Sequence, residues 1–347
     1  MKIKMASMFR GLIILIILAF PILAKAQFLY TANGATVTIT GFTGGVGPYV
    51  TIPSTIDGLP VTSLGDEAFR FSNIGTVTIP ASVTSIGAWC FANCSLFAVT
   101  MTNSLTSIGD YAFFFCTNLH TITVPASVTS IGFQAFGGCS SLAGITVDPL
   151  NSSYSDVQGV LFNKSQTTLI KYPRGKSGSN YAIPFGVTSI GSYGLADAHS
   201  LITVHIPKSV TSIAVGAFFI SNPKTLASVF CQGNPPGVGQ YAFRGLTATA
   251  YYLPGATGWG PTLGELPTKL WNPQVQTNDP SFGVQNNQFG FTITGTPNIP
   301  IVVEACTNLF SPAWITVQAC SITNGSIYLS DPPWTNNPRR FYRIRSP

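Results

Sequence analysis

The chain has 347 residues and a formal net charge of +6, and charged residues make up only 8% of it, against roughly 25% in typical globular domains. Four of the 17 basic residues, and none of the 11 acidic ones, precede residue 27, so the rest of the chain is almost neutral. This excludes the concentrated basic face of a nucleic-acid-binding protein. The one basic stretch, RRFYRIR at 339–345, alternates with apolar residues and favours an edge strand over a basic site.

The N-terminus has the pattern of a secretory signal peptide. Lys2, Lys4 and Arg10 precede an apolar run that reaches Leu23, and the triplet Ala24-Lys25-Ala26 follows. We predict that residues 1–26 are removed after Ala26 and that the protein is secreted or held at the cell surface, without a transmembrane segment. An uncleaved N-terminal anchor is the alternative, although the apolar run is shorter than the roughly 20 residues that span a bilayer.

A nine-residue motif recurs along the chain: IPASVTSIG at 79–87, VPASVTSIG at 124–132, IPFGVTSIG at 183–191 and IPKSVTSIA at 206–214. Its serine occupies one column, made up of Ser63, Ser85, Ser107, Ser130, Ser189 and Ser212. The steps are 22 or 23 residues, apart from one of 59, and a period of this length indicates a solenoid. Each repeat predicts an alternating strand, a proline, a short extended piece and a helical turn on AFxxC. The predicted fold class is therefore an α/β solenoid, rich in β structure, with stacked coils.

The spacing also predicts the domain boundaries. Residues 27–60 form an N-terminal β cap and residues 61–262 form the solenoid, with a β-hairpin insertion at 148–184 that accounts for the 59-residue step. Residues 263–288 are polar and suited to a linker. Five short alternating runs in 289–347 predict a small antiparallel β-sandwich, which either attaches the protein or serves as a capping domain.

These motifs resemble the BspA-type leucine-rich repeats of bacterial surface proteins, whose unit looks like L..ItIP.sVtsIG..AF..C. The resemblance covers roughly residues 50–255. It implies a curved, right-handed, exported and noncatalytic solenoid that binds or adheres through its surface. The last 60 residues or so resemble C-terminal β modules of large exported bacterial proteins, which share an E.s.nL....W..v core and an FYR.r ending.

No catalytic, cofactor or metal site is predicted. The 11 carboxylates are scattered, and the three histidines do not cluster with the cysteines at metal-ligand spacing. A β-helical polysaccharide lyase would need charged residues along one groove, and none are apparent. Cys94, Cys116 and Cys139 share a column that predicts small buried side chains. Cys306 and Cys320 flank a 13-residue segment, and they form a possible disulfide if that region is a hairpin.

The outward positions of the main strands are the predicted ligand-facing surface. They are Thr76, Thr78, Thr100, Thr102, Thr121, Thr123, Thr203 and His205. A protein or glycan would bind there to a monomeric protein. Threonine also favours pleated positions for purely structural reasons. A rigid spacer or envelope component without a specific ligand is therefore the main alternative, and an ice-binding surface that orders water is a weaker one.

Overall fold

The computed structural model describes residues 27–44, 48–221, 226–331 and 339–347, so the predicted signal peptide 1–26 lies outside the described residues. Within the described part, no helix combines the length and the apolar character needed to cross a membrane. The chain divides into two compact units. Unit 1 is the described part of Met1–Ser177 together with Ile190–Ser200, and unit 2 is Gly178–Ser189 together with the described part of Leu201–Pro347.

Unit 1 begins with a hairpin that continues directly into the first coil. The first strands of unit 1 are β1 (Phe28–Asn33), β2 (Thr36–Phe42), β3 (Tyr49–Thr51), β4 (Thr55–Ile56) and β5 (Leu59–Leu64). Strands β1 and β2 are antiparallel, and β2 pairs parallel with β5. The hairpin therefore covers one edge of the parallel ladder that the repeats build.

The repeats of unit 1 form three parallel ladders. Their strands are β6 (Thr76–Thr78), β7 (Ser85–Ile86), β8 (Ala98–Thr100), β9 (Ser107–Ile108), β10 (Thr121–Val124), β11 (Ser130–Ile131) and β12 (Gly144–Val147). In one ladder the serines of the predicted column pair in register, Ser63 with Ser85, Ser85 with Ser107 and Ser107 with Ser130. This confirms the predicted alignment of these repeats. In a second ladder Val77 pairs with Val50 and Val99, and in a third β10 pairs with β12.

The segments predicted as helical turns are stacked non-helical turns, so the predicted α/β class is wrong. From Phe28 onward, the described residues contain one helical element, a 3-10 helix at Thr323–Gly325, and the fold is a β-solenoid. Within 65–72, Glu67 and Phe71 have φ values of 59° and 62°, which a helix does not allow. Alternate amides in these turns bond to the next coil: Phe69 N to Cys90 O, Phe91 N to Ala112 O and Phe113 N to Ala135 O, each 2.8 Å long. These amides are therefore not available for the i to i−4 bonds of a helix.

The recurrent glycines make room for the neighbouring coil. Gly87 and Gly109 do not have positive φ. A Cβ on Gly87 would lie 2.7 Å from Asp66 N, and one on Gly109 would lie 2.6 Å from Gly87 C. Close backbone stacking, rather than a special turn, therefore accounts for glycine at these two positions.

The insertion forms an antiparallel sheet within unit 1. Its strands are β13 (Tyr154–Val157), β14 (Val160–Asn163) and β15 (Thr168–Lys171). The fully buried Asn151 holds its start, because Nδ2 donates to Pro125 O at 2.7 Å and Val128 O at 2.9 Å. Its Oδ1 accepts bonds from Ser153 N and Tyr154 N, both 2.8 Å long. All hydrogen-bonding groups of this buried amide are therefore near partners.

Unit 2 contains the later coils, and Ser189–Ile190 falls at the boundary between the two units. The strands are β16 (Asn180–Ala182), β17 (Ser189–Ile190), β18 (Thr203–Ile206), β19 (Ser212–Ile213), β20 (Ser228–Cys231), β21 (Gly237–Val238), β22 (Thr249–Tyr252), β23 (Thr262–Leu263) and β24 (Leu266–Leu270). Strands β16, β18, β20, β22 and β24 form a parallel sheet in that order. The interval 263–288, predicted as a linker, thus includes a strand of this sheet.

The C-terminal part of unit 2 has two antiparallel sheets. Its strands are β25 (Gln274–Val275), β26 (Gly283–Gln285), β27 (Gln288–Thr294), β28 (Pro300–Cys306), β29 (Ile315–Ser321), β30 (Ser326–Asp331) and β31 (Phe341–Arg345). Strand β27 pairs with β25, β26 and β30, and β28 pairs with β29 and β31. Phe291 and Ile293 of one sheet share a buried cluster with Ile301 and Val303 of the other. We call residues 274–347 the C-terminal module.

Candidate functional site

The exposed side of strands β6, β8 and β10 in unit 1 is lined by threonines. Thr78 on β6 pairs with Thr100 on β8, and both are exposed. Thr76 on β6 is half-buried, and Val77, which lies between Thr76 and Thr78, is buried. Thr121 and Thr123 are exposed on β10. The same face includes Thr51, which pairs with Thr78, and Thr146, which pairs with Thr123. These last two were missed, although VTIP at 50–53 and ITV at 145–147 carry the same alternation.

This threonine face can form hydrogen bonds but has no ionisable group of its own. Each hydroxyl can donate one hydrogen bond and accept others, and neighbouring strands repeat at about 4.8 Å. The described residues of the chain contain no group of three His, Cys, Asp or Glu side chains that could hold a metal ion. The arrangement is suited to hydrogen bonding with a repetitive polar surface.

Thr102 does not lie on this face as predicted. Thr76 pairs with Ala98 and Thr78 with Thr100, so Thr102 occupies the column of Pro80, beyond the end of β8. Its Oγ1 is 2.8 Å from Ser104 Oγ. The prediction was shifted by two residues, which preserves the side of the strand and therefore left the alternation intact.

Thr203 and His205 are on the unit 2 sheet, and they are covered. Thr203 is 4% exposed. His205 Nε2 is 3.2 Å from the carbonyl oxygen of Pro347, to which Asn180 Nδ2 also donates at 2.9 Å. Burial lowers the pKa of His205, while the hydrogen bond to Pro347 raises it. The imidazole is thus a packing group beneath the end of the chain, not an open ligand contact.

An aromatic row lies beside His205 and is covered by the C-terminal module. The ring of His205 stacks on Phe230 at 5.2 Å, and Phe230 stacks on Tyr251 at 4.8 Å. Phe230 and Tyr251 belong to the same buried cluster as the core of the module. Trp271 packs edge-on against Phe230, and its Nε1 donates to Pro300 O at 2.9 Å. The module is therefore docked on the strand face of unit 2.

The possible disulfide between Cys306 and Cys320 is not present. Both thiols are free, and Cys320 pairs with Ile301 across the β28–β29 ladder, five residues from Cys306. Five strand residues span about 16 Å, whereas bridged cysteines have Cα atoms within about 7 Å. The two cysteines do flank a hairpin, but its register separates them.

A second surface, on the turn side of unit 1, was missed by the sequence analysis. Trp89 stacks on Tyr111 at 4.2 Å, Tyr111 meets Phe133 edge-on at 5.4 Å, and Phe133 meets Tyr193 edge-on at 5.6 Å. The guanidinium of Arg70 lies 4.9 Å from the Trp89 ring centre. We call these four rings the aromatic ladder. The sequence did contain a signal for this surface, because each of these aromatic residues lies one or two positions after the glycine of its repeat.

Lys171 is a buried amine with a structural role. Its side chain is near the carbonyl oxygens of Tyr193 and Ala196, at 3.2 and 3.5 Å from Nζ, and the residue is 7% exposed. Burial lowers its pKa to about 8. The amine bonds the turn 193–196 at the position where the insertion interrupts regular coil-to-coil bonding.

Comparison with known proteins gives a family match and several similar structures. Residues 62–182 and 171–254 match the model of the BspA type leucine rich repeat region, with six copies. A leucine-rich repeat protein from Eubacterium ventriosum is 23% identical over 65% of this chain and 71% of its own, with a TM-score of 0.48. The pneumococcal vaccine antigen PcpA is 22% identical over 65% and 80%, with a TM-score of 0.49. A leucine-rich cell surface protein from Faecalibacterium prausnitzii is 23% identical over 67% and 88%, with a TM-score of 0.37. A search of curated proteins gave no match.

Proposed function

Because the chain belongs to the BspA-type leucine-rich repeat family, we propose that it is an exported, noncatalytic protein that binds or adheres to a protein or glycan through the threonine face. Residues 1–26 direct its export, and it acts as a monomer, either secreted or on the cell surface. The signal-peptide pattern of residues 1–26 supports export.

One observation supports the threonine face most directly. The outward positions of the unit 1 sheet, including Thr51, Thr78, Thr100 and Thr123, are exposed. On the unit 2 sheet the outward aromatic row is buried under the C-terminal module. Of these two strand faces in the described residues, the threonine face is therefore the one that a large ligand can reach.

The aromatic ladder is a second candidate surface on the same unit. Phe133 is 40% exposed and the neighbouring Phe115 42%, and Arg70 lies against the ladder. Aromatic and arginine side chains account for much of the binding energy at protein interfaces. The aromatic ladder therefore supports a protein ligand as one of the two ligand classes proposed.

Charged substitutions on the threonine face test the proposal, and the same substitutions elsewhere on unit 1 serve as the control. The chain without residues 1–26 is applied to protein and glycan arrays, and saturable binding is then measured for a variant with Thr78→Arg, Thr100→Arg and Thr123→Arg. The matched control makes the same change to Arg at Thr84, Thr106 and Thr129. These three threonines are also exposed, and each directly precedes a serine of the paired serine column. We expect the first variant to lose at least tenfold in affinity and the control to retain it.

The other outcomes separate the alternatives. Loss of binding in Phe133→Ser, with retention in the threonine variant, would transfer the function to the aromatic ladder and contradict the threonine-face proposal. Absence of any saturable ligand on both arrays would instead favour a spacer.

A further inference from the structure

The C-terminal module contains a pocket of about 580 Å³ with aromatic walls. We call it the aromatic pocket, and its rings are Phe282, Phe289, Phe291, Phe341 and Tyr342. Phe291 is 4% exposed, while Phe282 and Phe341 are 41% and 43% exposed. The pocket thus has a buried wall and an accessible rim, and its volume falls within the range of about 300 to 1,000 Å³ that is typical of small-molecule sites.

The rings are held in place by contacts with one another. Phe289 stacks on Tyr342 at 5.2 Å with an interplanar angle of 20°, and Phe282 meets Phe289 edge-on at 5.6 Å. The Tyr342 hydroxyl donates to Asp331 Oδ2 at 2.8 Å. The rings of Phe289 and Tyr342 are therefore nearly parallel and that of Phe282 is nearly perpendicular to Phe289, while Phe291 is tilted by 53° from Phe289, and such aromatic walls suit a flat ring.

Arg340 lines the same pocket with a donor that has no acceptor. Its side chain is 5% exposed, and its Nη1 is 2.6 Å from Asp331 Oδ2. Among the described residues its buried Nε has no hydrogen-bond acceptor, and the contact of Nη1 with Asp331 is an ion pair without hydrogen-bond geometry. Unpaired buried donors are rare and destabilising, so each one calls for an explanation. A ligand in the pocket that offers an acceptor would satisfy this donor.

The charges around Arg340 indicate what kind of acceptor fits. Asp331, itself 3% exposed, already neutralises the guanidinium. An anionic ligand would bring a second negative charge close to this carboxylate at low dielectric, which is unfavourable. A neutral carbonyl, ether or hydroxyl oxygen has no such cost.

We propose that the aromatic pocket binds a neutral small molecule that combines a planar apolar ring with one hydrogen-bond acceptor, and that Arg340 Nε donates to this acceptor. Nothing in the threonine-face proposal requires this site, so either of the two can fail without the other.

Fluorescence titration of the purified chain with prodan, a neutral naphthalene that carries a ketone, tests the proposal. We expect saturable binding of one prodan per chain with a blue-shifted emission. The hydrocarbon analogue 2-dimethylaminonaphthalene lacks the ketone and should bind about tenfold more weakly, as expected for the loss of one hydrogen bond to a charged group. Unsaturable binding, or equal affinity for the two probes, would overturn the proposal.

Three variants locate the site. Val284, 52% exposed at the rim, is replaced by Trp to fill the pocket, and prodan affinity should fall at least tenfold. Phe310→Ala is the matched control, because Phe310 is fully exposed and does not line the pocket, and it should bind like the wild type. Arg340→Lys keeps a charge for Asp331 but lacks Nε, so the preference for the ketone should disappear.

The variants are checked by circular dichroism before titration. If Arg340→Lys does not fold, Val284→Trp still decides the location and the probe pair still decides the acceptor. Unchanged binding in Val284→Trp, or its loss in Phe310→Ala, would contradict the assignment of the pocket.

Discussion

Replacing Phe113 by Ala tests the packing that holds the coils of unit 1 together. Phe113 is completely buried and lies between Phe91 at 5.4 Å and Phe136 at 5.9 Å, with rings nearly parallel to both. Truncation of a buried Phe to Ala costs about 3 to 5 kcal/mol. Stacking against two neighbouring rings places Phe113 at the upper end of this range. We therefore expect a loss near 5 kcal/mol in the free energy of unfolding, a large share of the stability of an ordinary domain.

Urea unfolding monitored by circular dichroism measures this loss, and Phe115→Ala is the control. Phe115 is two residues away and 42% exposed, so its truncation should cost less than about 1 kcal/mol. A double variant of Phe91 and Phe113 should show a coupling free energy near 1 kcal/mol. If Phe113→Ala cost no more than Phe115→Ala, stacking of coil on coil would not be the source of stability.

Three further predictions concern the backbone, a buried amine and the thiols. Gly109→Ala should destabilise by about 1 to 3 kcal/mol because its Cβ would meet the neighbouring coil, whereas Gly260→Ala, with no atom within 4 Å, should be neutral in the same urea assay. The folded protein holds the pKa of Lys171 at about 8 instead of 10.5. The unfolded chain therefore binds more protons than the folded protein between these pH values. The stability of the wild type relative to Lys171→Met should rise with pH across this window, by up to about 3 kcal/mol. Urea midpoints converted to free energies of unfolding measure this rise. In mass spectrometry without reductant, iodoacetamide should label the half-buried Cys320 in the folded protein and buried Cys306 only after unfolding; a requirement for reductant would show a disulfide.

The period and registers of the coils could be predicted because each coil has nearly the same neighbours as the next. The serine column at 63, 85, 107 and 130 pairs residue for residue, as the alignment predicted. The same logic placed Thr78, Thr100, Thr121 and Thr123 on an exposed strand side. Because the repeats are so similar, aligning them with one another is enough to predict which residues pair between neighbouring coils.

The predicted helices failed because local spacing does not distinguish a helix from stacked turns. Ala112, Phe113 and Cys116 are all buried, at spacings of one and four residues that would also fit a helical face. What differs is the hydrogen-bond partner: Phe113 N bonds to Ala135 O on the next coil, 22 residues away in sequence. A pattern read within five residues contains no information about that bond.

The composition of the outward strand positions separates the open sheet face from the covered one. In β6, β8 and β10 these positions hold Thr78, Thr100 and Thr123, whereas in β18, β20 and β22 they hold His205, Phe230 and Tyr251. An aromatic row of this size is unfavourable in water, so it implies a cover. That cover comes from residues as far away in sequence as Pro347, which is why the strand pattern alone did not exclude His205 as a ligand contact. The outward residues are therefore hydroxyl-bearing on the exposed strands of unit 1 and aromatic on the unit 2 sheet, on which the module docks.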